Sequence, residues 1–176
     1  MKILPILTLG VLASLTISCK VQFEESTRYR LETSNELTIE QVQFYNDKPI
    51  KLLYKSTSKN DAIKGGKVKF NNGFYYYHIN IPKNTKSIAK SSNKNELHVY
   101  FEDGQKGFLT FKNSQNENWE LYQLITTKTD TGTFVNYDGK QMQITNGDQA
   151  VLKIKKSLKN TNDKKRRRVK GLKVVR

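Results

Sequence analysis

The sequence predicts a mainly β protein, an antiparallel sandwich or small barrel of about nine short strands with one short N-terminal helix. Over most of the chain after residue 50, apolar and polar residues alternate with the period of a strand that has one buried face. Turn residues such as Gly, Asn and Asp recur at intervals of about eight to twelve positions. The pattern lacks helices that could connect parallel strands, which argues against a βαβ architecture.

Length and composition allow one domain with a modest core. The chain has 176 residues, of which 36% are hydrophobic and 10% aromatic. Its 31 Lys and Arg residues outnumber its 16 Asp and Glu residues, which gives a formal net charge of +15. Because the chain has a single cysteine, an intrachain disulfide and a multi-cysteine zinc or iron–sulfur site are excluded.

The first 18 residues have the pattern of a bacterial secretory signal. Lys2 supplies a positive charge, and an uncharged, mostly apolar run follows from Ile3 to Ile17. At about fifteen residues the run is short for a helix that spans a bilayer, which takes about twenty. We therefore expect the segment to direct export and not to remain as a transmembrane helix.

The end of this run, Leu15-Thr16-Ile17-Ser18-Cys19, resembles the lipobox of bacterial lipoproteins, with Thr16 at a position that is usually Leu. The resemblance implies cleavage between Ser18 and Cys19, a diacylglyceryl thioether on Sγ of Cys19 and acylation of the new amino group. Several acyl chains would hold the protein at a membrane permanently, since each buried methylene contributes about 0.8 kcal/mol. Two alternatives stay open: an inert buried cysteine, and ordinary signal cleavage with release into the periplasm.

The predicted organisation has three parts. Residues 1–18 are a lipoprotein signal peptide, and residues 19–34 are the lipidated cysteine followed by a polar tether. Residues 35–176 are a β-rich domain with a basic C-terminal segment.

A helix start is predicted shortly after the tether. Thr38 and Gln41 have the spacing of a capping box, and Leu37 with Val42 has the spacing of a hydrophobic staple. We expect a short helix from about residue 39 to residue 45, before Pro49.

Strands follow the helix. Asn72-Gly73 and Asp138-Gly139 are turn sequences that favour hairpins. In the first hairpin, the strand after the turn should place Tyr75, Tyr77, Ile79 and Ile81 on its core face. The residues at 56–61 and 91–95 are polar and are predicted loops. The predicted strands are 50–55, 67–70, 74–81, 97–101, 107–111, 119–125, 133–137, 140–144, 152–154 and 169–175.

Candidate chemistry is sparse. His78 and His98 fall on the polar faces of their strands, where they could meet as a two-nitrogen metal site or serve as the base of a hydrolase. A metal site needs three or four ligands, and neither histidine has a carboxylate or another histidine at a ligand spacing. The sequence contains no G-x-S-x-G and no phosphate-binding glycine motif. It therefore indicates no catalytic residue, no metal and no cofactor.

Two surface features are candidates for binding. Tyr76, on the non-core face beside Phe74, could form a platform for a sugar or another ligand, although strand aromatics more often pack across strands. Residues 153–176 contain 12 Lys and Arg residues and one acidic residue, Asp163. This segment could contact an anionic lipid or polysaccharide, or it could be a solvated loop; an exported chain fits nucleic acid poorly. The anion-binding candidates are Lys164, Lys165, Arg166, Arg167 and Arg168.

Short motifs along the mature chain resemble a group of small uncharacterised Bacteroidota-type lipoproteins with a lipobox signal and a β-rich domain. The resemblance implies attachment to the cell envelope, at the outer membrane, and assigns no catalytic residue. The motifs are Phe44-Tyr45, Ile81-Pro82-Lys83, residues 97–102, Tyr137-Asp138-Gly139-Lys140 and residues 169–174.

The sequence thus predicts a lipid-anchored envelope protein that is a non-enzymatic binding or structural accessory module. One alternative is an envelope hydrolase acting on peptide or glycan, with His78 or His98 as base. The other is a binder of anionic lipid or polysaccharide that uses residues 164–168.

Overall fold

The computed structural model describes residues 19–34, 37–58, 67–93, 95–103, 107–113 and 120–159. Within these residues the chain forms thirteen strands, two α-helices and one short 3₁₀ helix. The helices are α1 (Glu25–Ser34), α2 (Lys156–Lys159) and the 3₁₀ helix Ile39–Gln41. The strands are β1 (Lys20–Gln22), β2 (Phe44–Asn46), β3 (Ile50–Ser56), β4 (Lys67–Asn71), β5 (Phe74–Ile81), β6 (Lys86–Asn93), β7 (Glu96–Tyr100), β8 (Phe108–Asn113), β9 (Tyr122–Leu124), β10 (Thr127–Thr129), β11 (Gly132–Tyr137), β12 (Lys140–Asn146) and β13 (Leu152–Lys155).

The first sheet has seven strands in the order β1-β13-β2-β6-β7-β8-β9, and all its neighbours are antiparallel. Two isolated bridges continue it beyond β9: Glu24 pairs with Leu121, and Gln123 pairs with Val151. The sheet therefore curls until its last strand meets the residues that flank β1 and β13.

The second sheet has six strands in the order β10-β11-β12-β3-β5-β4, again antiparallel. Its longest pairing joins β3 to β5, from Ile50 opposite Ile81 to Ser56 opposite Tyr75.

One core cluster joins the inner faces of the two sheets. Val99 and Phe111 come from the first sheet, and Leu52, Tyr77 and Val135 come from the second; each is at most 5% exposed. Because both sheets contribute to this cluster, the architecture is sandwich-like, with two apolar faces turned toward each other.

The mainly β fold with antiparallel sheets is confirmed. Both hairpins form at the predicted turns, where Asn72, Gly73, Asp138 and Gly139 have φ values of 47°, 79°, 52° and 71°. The predicted core face of β5 is also confirmed, since Tyr77 and Ile81 are buried and Tyr75 and Ile79 pack partly buried against the core.

The predicted helix at 39–45 is wrong in extent. Only Ile39–Gln41 is helical, as a single 3₁₀ turn, and Phe44 and Tyr45 belong to β2. The predicted helix start at Thr38 is confirmed, and the main-chain N–H of Thr38 donates to Oε1 of Gln41 at 2.9 Å. Val42 then has extended backbone angles, and pairing of β2 with β13 and β6 replaces further helical turns.

The predicted polar tether at 19–34 is also wrong, because residues 20–34 fold as β1 and α1 of the domain. A few apolar side chains within this polar segment explain the difference. Phe23 and Leu31 are fully buried, and Val21 packs against the core. Residues 20–34 are therefore part of the folded domain.

Strand β6 was not predicted, and its last residues lie in the predicted loop at 91–95. Its inner positions are the small residues Ser87 and Ala89, which are 3% and 1% exposed, whereas Ile88 points outward and is 52% exposed. At Ser87 and Ile88 the usual alternation of apolar inside and polar outside is thus inverted, which weakens the strand signal of this segment.

Candidate functional site

Cys19 lies at the edge of the first sheet, where the start and the end of the described domain meet. Its side chain is exposed, and β1 begins at the next residue. Lys20 is paired with Lys155, and the main-chain N–H of Lys156 donates to the carbonyl oxygen of Cys19 at 2.8 Å. The backbone of Cys19 is therefore held by the strand end that leads into the basic C-terminal residues.

An ion pair holds the other end of α2 close to the same edge. Nζ of Lys159 lies 2.9 Å from Oε1 and 3.1 Å from Oε2 of Glu24. Both side chains are only partly exposed. Residue 159, the last one described, is thus placed near the strand that starts beside Cys19.

A buried polar network fixes α1 on β9. The Arg28 guanidinium donates to the Tyr122 hydroxyl at 2.8 Å and to Oε1 of Glu32 at 3.1 Å. The Tyr122 hydroxyl donates in turn to Oε2 of Glu25, and the Asn113 amide donates to the same oxygen at 3.5 Å. The network links Glu25, Arg28 and Glu32 of α1 to Tyr122 of β9.

Burial raises the pKa of Tyr122, and the hydrogen bond to Glu25 raises it further. Burial lowers the pKa of Arg28, but hydrogen bonds to Tyr122 and Glu32 outweigh burial and leave it raised. Because Tyr122 is fully buried and Arg28 is 7% exposed, no substrate reaches these groups, and the network stabilises the fold. The sequence gives no signal for it, since Arg28 lies in a polar segment without periodicity.

A second buried tyrosine has a similar contact. The Tyr137 hydroxyl donates to Oε1 of Glu102, and Tyr137 is 2% exposed. Burial raises the pKa of Tyr137, and the hydrogen bond to Glu102 and the charge of Asp138 add to the effect. Glu102, two residues after the end of β7, is thereby tied to the second sheet.

A cavity of about 280 Å³ lies where β8 and the end of β9 face β10 to β12. Its lining supplies hydroxyl, amide and apolar groups but no titratable side chain, so it offers hydrogen bonds without an acid or a base. The lining residues are Thr110, Ile125, Thr127, Phe134, Val135, Asn136 and Gln141.

The two histidines do not meet. His78 lies on β5 and His98 on β7, each between core residues and therefore on the outer face of a different sheet. His98 stacks on Phe108, with ring centroids 4.2 Å apart. Among the described residues, no group of three His, Cys, Asp or Glu side chains could hold a metal ion.

Tyr76 lies on the outer face of the second sheet, as the alternation predicts, and is partly buried. Nζ of Lys55 sits 3.7 Å from the ring centroid of Phe74 and 5.9 Å from that of Tyr76. The Lys55 ammonium group therefore covers the ring of Phe74, beside the candidate ligand platform Tyr76.

Several predicted features lie outside the described residues: Ser18, the basic residues at 164–168 and the predicted strand at 169–175. Of the helices in the described ranges, none has the length and apolar character needed to cross a membrane.

Comparison of the chain with protein-family models, with curated proteins and with solved structures found no match in any of the three.

Proposed function

We propose that the chain is a lipid-anchored protein of the bacterial cell envelope that acts as a non-enzymatic binding or structural accessory module. The observation that carries this proposal is the position of Cys19. Its side chain is exposed, and strand β1 starts at the next residue. An exposed thiol directly before a strand is accessible to lipid-transferring enzymes, whereas a structural cysteine is usually buried.

The surrounding sequence supports the same function. The signal-like run, the lipobox-like residues 15–19 and the resemblance to small Bacteroidota-type lipoproteins all favour lipidation of Cys19 and attachment to the outer membrane. A chain with several acyl groups needs no transmembrane helix to stay at a bilayer.

An accessory role is favoured over hydrolysis by the placement of the titratable groups. His78 and His98 face outward from separate sheets. Tyr122 and Tyr137 bond carboxylates beneath the surface, where these contacts hold elements together. General acid–base catalysis needs such groups to converge on an accessible substrate position.

Replacing Cys19 with Ser tests the anchor. We expect the wild-type chain from its native host to begin at Cys19, to carry acyl mass and to fractionate with the outer membrane. Cys19→Ser should lose the acyl mass and the membrane association, while Ser26→Ala, at an exposed position on α1, should keep both. An unmodified Sγ in the wild-type chain, or a mature chain that begins elsewhere, would contradict the proposal.

A second candidate function is binding of anionic lipid or polysaccharide by the five basic residues at 164–168. The ion pair between Lys159 and Glu24 favours it, because this contact holds the end of α2 at the same edge of the first sheet as Cys19. Each basic residue near an anionic surface contributes about 1 kcal/mol, and salt weakens the attraction. Replacing the five residues with Gln should reduce salt-dependent binding to anionic vesicles; unchanged binding would contradict this function.

A further inference from the structure

The outer face of the first sheet carries a concentration of lysines next to Cys19. Side chains at Val21, Phe44, Ala89 and Ile154 point to the core, so the alternate positions of β1, β13, β2 and β6 point outward. We call the outer part of these four strands the lysine face. It consists of the lysines Lys20, Lys86, Lys90, Lys153 and Lys155 and the exposed Ile88.

Strand pairing makes this face continuous. Lys20 is opposite Lys155, Lys153 is opposite Tyr45, and Tyr45 is opposite Lys86. Neighbouring strands are about 4.8 Å apart, so four strands span roughly 14 Å. Lysines far apart in the sequence therefore form one patch.

The outer positions of these four strands include no carboxylate. Three other carboxylates among the described residues have partners: Glu24 pairs with Lys159, Glu96 with Lys112, and Glu102 accepts from Tyr137. Five lysines with no carboxylate at the outer positions of the same strands favour an anionic partner.

The face also combines one exposed apolar side chain with aromatic rings that lie beneath its lysines. Ile88 is 52% exposed between Lys86 and Lys90. Nζ of Lys20 lies 4.1 Å from the ring centroid of Tyr45, and Nζ of Lys90 lies 5.4 Å from that of Tyr100. Ammonium groups above an apolar layer match the headgroup region of a bilayer, where lysine stems stay in apolar contact and their charges meet phosphates.

We propose that the lysine face binds the surface of an anionic bilayer. The proposal rests on the proposed function, because Lys20 directly follows Cys19 and a lipid on Cys19 would hold this face at the membrane without an intervening tether. The lipid and the lysine face together provide two membrane signals, and lysines near the surface add to the anchoring. An exposed Ile88 among the lysines favours a bilayer over a soluble polyanion.

The test uses the full chain with Cys19→Ser, so that binding by the face is measured without a lipid anchor. In this background, one variant replaces Lys86, Lys90 and Lys155 with Gln. A control variant replaces Lys51, Lys69 and Lys128, three exposed lysines of the second sheet, with Gln. The two variants therefore have the same net charge. Affinity is measured by flotation with phosphatidylglycerol-containing and purely phosphatidylcholine vesicles, and the ratio of the two affinities is the readout.

We expect the lysine-face variant to lower this ratio about a hundredfold, since 1 kcal/mol per lysine is about fivefold in affinity. The control variant should change it by less than about threefold. Equal losses in both variants would show an effect of net charge alone and overturn the proposal. Undiminished binding of the lysine-face variant, or binding to dextran sulfate but not to vesicles, would also overturn it.

Two further measurements keep the result interpretable. Thermal unfolding of each variant establishes that the domain is intact, and Lys90→Glu alone should lower the affinity ratio more than Lys90→Gln. All proteins in the vesicle test lack the acceptor cysteine, so vesicle binding is measured independently of lipidation. Failure of Cys19 to be lipidated in the native host would therefore contradict the proposed function alone, and loss of the vesicle effect would contradict the lysine face alone.

Discussion

The main-chain N–H of Lys156 donates a hydrogen bond to the carbonyl oxygen of Cys19 at 2.8 Å. This bond extends the pairing of β1 with β13 by one step beyond Lys20 and Lys155. It brings the proposed lipid attachment residue next to the first turn of α2, although 137 positions separate the two residues in the sequence numbering.

Replacing Lys156 with Pro should loosen this edge without breaking α2. Lys156 is the first residue of α2, a position that tolerates proline, and the change removes the donor to Cys19. We expect amide exchange in residues 19–22 to become about fivefold faster, as for the loss of one hydrogen bond. Lys156→Ala keeps the donor and should leave exchange unchanged; equal exchange in both variants would contradict the role of this bond.

Replacing Phe23 with Ala tests whether the segment after Cys19 belongs to the folded domain. Phe23 is fully buried, and its ring centroid lies 4.9 Å from that of Phe44 and 5.1 Å from that of Tyr122. We expect the free energy of unfolding to fall by about 3–5 kcal/mol, measured by urea denaturation. Tyr29→Ala, at a residue that is 68% exposed, should change it by less than about 0.5 kcal/mol. A negligible loss for Phe23→Ala would restore the tether interpretation.

The local features of this fold could be predicted from the sequence. Asn72-Gly73 and Asp138-Gly139 adopt positive φ, a property of the turn residues themselves, so both hairpins were predictable. Tyr77 and Ile81 alternate with polar residues, and their burial followed from the period of the strand.

The features that could not be predicted depend on contacts between distant segments. β2 is three residues long and is held by β13 and β6, which lie far away in the sequence. The lysine face exists only because the sheet order places Lys20, Lys153 and Lys86 within four adjacent strands. Ser87 carries no hydrophobic signal, although the core of the first sheet covers it.

Replacing Tyr122 with Phe should destabilise the domain through the loss of a single hydroxyl. The ring remains buried, but Arg28 loses an acceptor and Glu25 loses a donor. Losing both hydrogen bonds of this buried hydroxyl costs about 1–3 kcal/mol, so the urea midpoint should decrease. Tyr76→Phe removes a hydroxyl from the outer face of the second sheet and serves as the matched control. If both variants unfold at the same midpoint as the wild type, Tyr122 does not hold α1 in the way described.

Stability should decline in alkaline solution because the pKa values of two buried tyrosines are raised above their ordinary value of 10.0. Burial is the main cause for both, and hydrogen bonds from Tyr122 to Glu25 and from Tyr137 to Glu102 add to it. The unfolded chain releases these protons first as the pH rises. The contribution to stability is therefore fully present below about pH 10 and is lost progressively above it.

Above about pH 10, each of the two tyrosines should lower the free energy of unfolding by about 1.4 kcal/mol per pH unit. Urea denaturation between about pH 9 and pH 11 measures it, and Tyr137→Phe should decline less steeply than the wild type because one linked proton is removed. Tyr29→Phe, at an exposed residue, should keep the wild-type slope. Parallel curves for Tyr137→Phe and the wild type would mean that the Tyr137–Glu102 contact does not hold the phenol proton in the folded state.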